Sequence, residues 1–265
     1  MKKIVFFLLA ALTIFVPSVA LAQSSPIITE KKSIFDEIAE VRRTYKGQLA
    51  EYRTAESQSA ITKSQFEQLG TLASLEVAVQ DIRKVMLLRN QVLLTYLKLI
   101  ELELLEADGV NLEEKNIILD STRVLQKDFA THQDFVEKAV DRVAIDLAAD
   151  DFEILAPQII NLSQYATSLL RVGQLQTIYD QSVTLVVETD PQNVDEEQSL
   201  ELNEKIRAHA EIKNLMDEVG VNLKFIWDEI REARLDGKPS KIDRETSSVY
   251  AGLSQALVFL EEILR

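Results

Sequence analysis

Apolar residues return every three or four positions along nearly the whole chain, and they alternate at strand spacing nowhere for long. Ile34, Ile38, Val41, Tyr45, Leu49 and Tyr52 fall on one stripe of a helix expected from about 33 to 57. Thr62 followed by Gln65 fits a capping box, so a break is expected near 58 to 62. A second helix, about 62 to 107, carries Leu72, Leu75, Val79, Ile82, Met86, Leu93, Leu97, Ile100 and Leu104. Its later half adds Val92, Leu94, Leu99, Leu102 and Leu105, which predicts packing on more than one side. Asp108-Gly109 supplies a stop, and Asn111 with Glu114 a new start.

The third helix is expected over about 112 to 148, along Ile118, Leu125, Phe129, Val136, Val140, Val143 and Leu147. Asp150-Asp151 and Pro157 then predict a bend. A proline in a helix interior costs roughly 3 kcal/mol, so the fourth helix should begin close to it and run to about Glu188. Thr189 to Glu196 reads as a linker. A fifth helix is expected over about 196 to 235 and ends at Asp236-Gly237-Lys238-Pro239. Ser240 with Asp243 caps a sixth, which runs toward the end of the chain. Gly47, Gly70, Gly173, Gly220 and Gly252 fall inside helical patterns, where each costs about 1 kcal/mol against Ala. The fold class that follows is all-α. Residues 33–265 should form one elongated antiparallel bundle of about five or six long amphipathic helices, packed at the shallow angles of a coiled coil.

The first residues have a different pattern. Lys2 and Lys3 precede an apolar run from Ile4 to Val16, interrupted only by Thr13. As a helix that run reaches about 20 Å, short of a bilayer core of about 30 Å. Pro17 follows, and Ala20-Leu21-Ala22 offers small residues at a cleavage site. This is the layout of a bacterial-type secretory signal over residues 1–22, with a polar lead over 23–32. Gln23 rather than a cysteine follows, so the chain is not expected to be a lipoprotein. Export to a periplasm or to the outside is the expected localisation.

Charge and cysteine usage narrow the function classes. Net charge is −14, and removing residues 1–22 takes away two lysines and no acid, which makes it −16. Such a field repels a phosphate backbone and an anionic membrane surface, so neither nucleic acid nor membrane is an expected partner. The chain has no cysteine, hence no disulfide or thiolate.

Candidate chemistry is sparse. No phosphate loop, nucleophile elbow, zinc-helix or EF-hand pattern is present. Di-iron bundles need Glu three residues before His, yet Phe129 precedes His132 and Ile206 precedes His209. Each histidine reads as a hydrogen-bonded residue at the core's edge. Asp128 and His132 share a helix face, but nothing specifies a third ligand. No catalytic residue, cofactor or metal is therefore expected. Trp227, the only tryptophan, reads as core rather than as a binding hot spot.

The most unusual stretch is Ile154 to Val187, where Arg171 and Asp180 are the only charged residues in a chain that is 27% charged. Asn161, Gln164, Tyr165, Ser168, Gln174, Gln176, Tyr179 and Gln181 supply uncharged hydrogen-bonding groups instead. Two readings are open: an inner helix with a polar edge, or a face whose low charge reduces the cost of desolvation by a protein partner. The functional expectation is an exported, non-enzymatic helical bundle acting as an envelope or secreted scaffold. Its partner would be protein, and a homo-oligomer fits the same pattern. The alternative is a small-ligand-binding or sensory bundle, with a pocket near Gln164, Tyr165 and Tyr179.

Overall fold

The computed structural model describes residues 33–190, 200–233 and 242–264. The expected signal segment and polar lead, most of the Thr189–Glu196 linker and the Asp236–Pro239 turn lie outside them. Of the described residues 94% are helical, and none is in a strand. Six helices follow in order: α1 (Ile34–Leu69), α2 (Leu72–Glu106), α3 (Leu112–Lys138), α4 (Arg142–Glu188), α5 (Leu200–Ala233) and α6 (Ile242–Leu264). At about 1.5 Å per residue, α4 alone is about 70 Å long, so the bundle is elongated.

Helix boundaries depend on caps more than on the apolar pattern, and two differ from expectation. α1 does not break near 58 to 62. Thr62 is buried there, and its hydroxyl donates back to the Ser59 carbonyl at 3.2 Å, so it is satisfied without ending the helix. The break falls at Gly70, which takes the left-handed conformation (φ 60°) and donates its N–H to the Phe66 carbonyl at 2.9 Å. Thr71 and Ser74 then form the capping box that starts α2. The second difference lies between α3 and α4. α3 stops at Lys138, and the Asp141 carboxylate accepts from the Ala144 N–H at 2.8 Å to begin α4. α4 then runs unbroken through Asp150, Asp151 and Pro157. Pro157 and Glu153 are both exposed, so the carbonyl of Glu153, which loses its ladder donor, faces water rather than the core.

Cross-helix pairs fix the topology. The Tyr45 and Tyr96 rings lie tilted against each other with centroids 5.8 Å apart, and Arg42 meets Glu103 at 2.7 Å, so α1 and α2 run antiparallel. Arg83 donates from Nε to the Val136 carbonyl at 3.2 Å and from Nη2 to the Glu137 carbonyl. It thereby places a cation on the open C-terminal end of α3. Phe129 lies 6.1 Å from Phe152, which sets α3 against α4. Trp227 donates to Gln176 at 3.1 Å, and His209 to the Val186 carbonyl at 2.8 Å, which sets α5 against α4.

These registers divide the bundle lengthwise. The first part of α4 packs with α2 and α3, and α1 packs outside α2. The second part of α4 packs with α5 and α6. One apolar core nevertheless runs through both parts, from Tyr45 and Leu97 past Phe129 and Leu169 to Ile226 and Leu260. The sequence stripe of α1 matches: Ile38, Tyr45 and Tyr52 are buried, while Ile34, Val41 and Leu49 are partly buried.

The two parts meet where the α2–α3 turn lies on α4. A Cβ on Gly109 would sit 2.1 Å from the Gly173 carbonyl oxygen, and one on Gly173 would sit 2.3 Å from a Val110 methyl. Gly109 also has φ 70°, a region other residues enter at a cost. Glu114, at 7% exposure, accepts the Tyr165 hydroxyl at 2.8 Å, and Arg231 Nε of α5 lies 3.7 Å from its other oxygen. The carboxylate thus joins three helices at one level.

Glycine substitutions should therefore have opposite signs by position. Gly47 has open space around it in mid-helix, so Gly47→Ala should raise stability by about 0.5–1 kcal/mol. Gly173→Ala and Gly109→Ala should each lower it by about 1–3 kcal/mol through overpacking. Urea unfolding followed by circular dichroism measures both. Equal effects at Gly47 and Gly173 would contradict the close contact.

Candidate interaction face

α4 turns a nearly uncharged surface outward. From Ile154 to Val187 its exposed residues are Ile154, Pro157, Gln158, Asn161, Gln164, Gln174, Ile178, Asp180, Gln181, Thr184, Leu185 and Val187, and Asp180 alone is charged. The contrast with α1 is large. There Asp36, Glu40, Arg42, Arg43, Lys46, Glu51, Arg53, Glu56, Lys63 and Glu67 are all exposed. The α4 face also has a seam. Ile154, Pro157, Asn161, Gln164, Arg171, Gln174, Ile178, Gln181 and Leu185 step by three and four, with one longer step of seven across the middle. That is the spacing by which one helix presents a line of side chains to another.

The residues singled out from sequence divide along this helix. Asn161, Gln164, Gln174 and Gln181 are exposed on the face. Gln176 is half-buried: its carbonyl oxygen accepts from Trp227, and its amide donates to Asp180 at 2.9 Å. Tyr179 is also half-buried and rests on Gly220, where a Cβ would lie 2.6 Å from the tyrosine oxygen. Burial and the nearby carboxylates of Asp217 and Asp180 push its phenol upward. Tyr165 and Ser168 are buried at 5% and 8% exposure, on the inner stripe with Leu169 and Val172. Gln164, Tyr165 and Tyr179 therefore go to three different surroundings: solvent, Glu114 and Gly220. Ile154, Ile178 and Leu185 were missed as members of the face. They share its three-and-four spacing with the amides, and that was the available signal.

Beneath the face, the first part of the bundle holds a buried polar network. His132 is 1% exposed, and its Nε2 lies 2.9 Å from the Ala148 carbonyl oxygen, so Nε2 carries the proton and donates. Nδ1 then accepts from the Asn90 side-chain amide at 2.8 Å. Both ring nitrogens are used within the protein, so His132 is a core residue rather than an edge residue. Neither ring nitrogen is left over to share a cation with Asp128. Burial, foremost, and the Arg89 cation push the His132 pKa below its usual value; the Ala148 bond and Asp151 oppose the shift. The Arg89 guanidinium carbon lies 3.1 Å from the centre of the Phe152 ring, the geometry of a cation–π contact. Its Nε and Nη2 meet no hydrogen-bond acceptor among the described residues, and burial lowers its pKa to about 10. Tyr52 donates to Glu56 at 3.2 Å, and burial with that carboxylate holds its phenol up at about 12. Tyr96 bonds Ser163 across to α4, and burial raises it to about 12 as well.

His209 sits in the second part of the bundle and is partly buried against the Val186 carbonyl, so the two histidines do not meet. Trp227 is half-buried, with its ring N–H satisfied by Gln176. Among the described residues no three His, Asp or Glu side chains come together to hold a metal ion. No helix there is long and apolar enough to cross a membrane. Comparison with known protein families, curated proteins and solved structures returns no match for this chain.

The neutral His132 should make the bundle acid-sensitive. Its proton affinity is lower folded than unfolded, so its contribution to stability is complete above the unfolded value near 6.5 and falls away as pH drops through the folded value. The melting temperature should drop between pH 7 and pH 5.5. Glutamine can donate and accept in the same places without titrating, so His132→Gln should flatten that slope. An unchanged slope would show that His132 does not set it.

Proposed function

We propose that this protein is an exported, non-enzymatic helical bundle that acts as an envelope or secreted scaffold and binds protein through the outward face of α4. The observation that carries the reading is the composition of that face. Charged residues are costly to strip of water at an interface, whereas amide and aliphatic side chains are less so. Here a chain of net charge −14 leaves one long helical face with a single exposed carboxylate. Solubility alone would favour charge at such positions, as on α1. The apolar segment at Ile4–Val16 and the small residues before Gln23 support export. Length supports a spacer role, since a rod of about 70 Å holds its two ends well apart.

Two measurements test this. N-terminal sequencing of the protein from the exported fraction should begin at Gln23; a chain that keeps Met1 in the cytosol would contradict export. Cross-linking in intact cells should trap a protein species whose mass is not a multiple of this chain's. That species should disappear when Gln174 and Ile178 are both changed to Glu, with the circular-dichroism spectrum unchanged. Trapping that survives the double substitution would remove the α4 face from the proposal.

A further inference from the structure

α1 is held differently from the other helices. Its one substantial neighbour is α2, and the contacts of α4 with α2, α3, α5 and α6 do not depend on it. We propose that α1 is a strap: it lifts from α2 as a unit about Gly70 while α2 to α6 stay folded, and Arg89 keeps that opening easy. The α4 face plays no part in it.

The seam between α1 and α2 has heptad spacing. On α1, Ile38, Tyr45 and Tyr52 stand seven apart, with Val41, Gln48 and Ala55 interleaved. On α2, Arg89, Tyr96 and Glu103 stand seven apart, with Val92 and Leu99 between them. Tyr45 meets Tyr96, Arg42 meets Glu103, and Ile38 packs with Leu99. One heptad further on, that antiparallel register brings Tyr52 to the level of Arg89. A polar residue at such a position fixes register at a cost in stability.

The unmet groups lie at this level. Nε and Nη2 of Arg89 are the two parallel donors along one edge of the guanidinium, and both are sealed from solvent with no acceptor among the described residues. On the α1 side, Gln48 Oε1 is sealed without a donor in the same way. Two α1 hydroxyls on the seam turn back into their own helix: Tyr52 donates to Glu56, and Thr62 to the Ser59 carbonyl. Phe152 lies against the guanidinium but offers it no acceptor. Burial lowers the Arg89 pKa only to about 10, so the side chain stays cationic near neutral pH. Each of these groups forfeits hydration that it regains once α1 lifts.

Little opposes that relief. Five of the 36 residues of α1 are buried, against 12 of 35 in α2. The Arg42–Glu103 pair at 2.7 Å and the Lys98–Glu37 pair at 4.0 Å are partly exposed, and such pairs hold weakly. A helix with few buried contacts on a single neighbour belongs to the low-stability end of a fold. Gly70, at φ 60° and with open space around it, supplies the pivot.

Amide hydrogen exchange of the purified full chain, read by mass spectrometry, tests this. α1 should exchange as one unit, about tenfold faster than the α4 segment around Leu169. Arg89→Met removes the unmet cation and keeps an apolar contact for Phe152. It should slow exchange in α1 about tenfold and leave the Leu169 segment unchanged. If Arg89 instead anchored the bundle through Phe152, the same substitution would speed exchange in α1. Gln48→Leu removes the unmet acceptor from the α1 side, leaves the Arg89–Phe152 contact in place, and should also slow α1. It decides the matter if Arg89→Met fails to fold. Exchange in α1 no faster than around Leu169 overturns the inference. So does a folded Arg89→Met, or in its absence Gln48→Leu, that fails to slow α1.

Discussion

The structure depends on burying one long helix against nearly all the others. α4 lies against α2, α3, α5 and α6, and its inner stripe, with Ile159, Leu162, Leu169 and Val172 at 2% exposure or less, is common to both parts of the bundle. Hydrophobic burial is not directional and would tolerate sliding of one helix along another. The contacts that stop sliding are few and local. The Gly109–Gly173 approach, the Glu114–Tyr165 bond and the Trp227–Gln176 bond each fix a level along α4. Register is thus set by small residues and single polar pairs, while most of the free energy comes from the apolar stripe around them.

The same helix explains why polar groups collect where they do. A helix apolar on one stripe and charged on the other would serve at the edge of a bundle. α4 is surrounded over much of its length, so charge on its sides would have to be desolvated at high cost. What remains on its outer stripe is neither core nor an ordinary solvated face. The network around His132 follows the same constraint in the interior. A neutral imidazole with both nitrogens bonded is tolerated there, and Arg89 is accommodated by an aromatic face in place of a carboxylate.

Much of this was legible in the sequence, and the rest was not for identifiable reasons. The stripe of α1, that of α2 apart from the exposed Leu72 and Leu105, and the stop at Asp108-Gly109 follow from periodicity and glycine alone. The breaks at Gly70 and Asp141 do not. A capping pattern such as Thr62–Gln65 is consistent with a helix start, but its hydroxyl can equally return to a carbonyl in the preceding turn, and tertiary burial chose the latter. Pro157 argued for a helix start, yet solvent around Glu153 makes the lost hydrogen bond inexpensive to satisfy. The depletion of charge in α4 was visible from composition. Which of its polar residues turn outward was not, because that depends on the rotation of the helix relative to neighbours far away in sequence. Tyr165 and Ser168 lie one helical step from Asn161 and Gln164 and end up inside. His132 was expected at the core's edge, since periodicity places a residue on a stripe without saying how deep the stripe is covered.

That α4 belongs to both parts has a consequence for how the molecule comes apart. Neither part owns a complete set of walls: removing α5 and α6 bares one end of α4, and removing α2 and α3 bares the other. Melting at one end therefore exposes a helix that the opposite end was using as support. Loss of order should spread along the rod as a single cooperative event, and proteolytic nicking in the connection after α4 would release a fragment with an apolar flank rather than a self-sufficient domain.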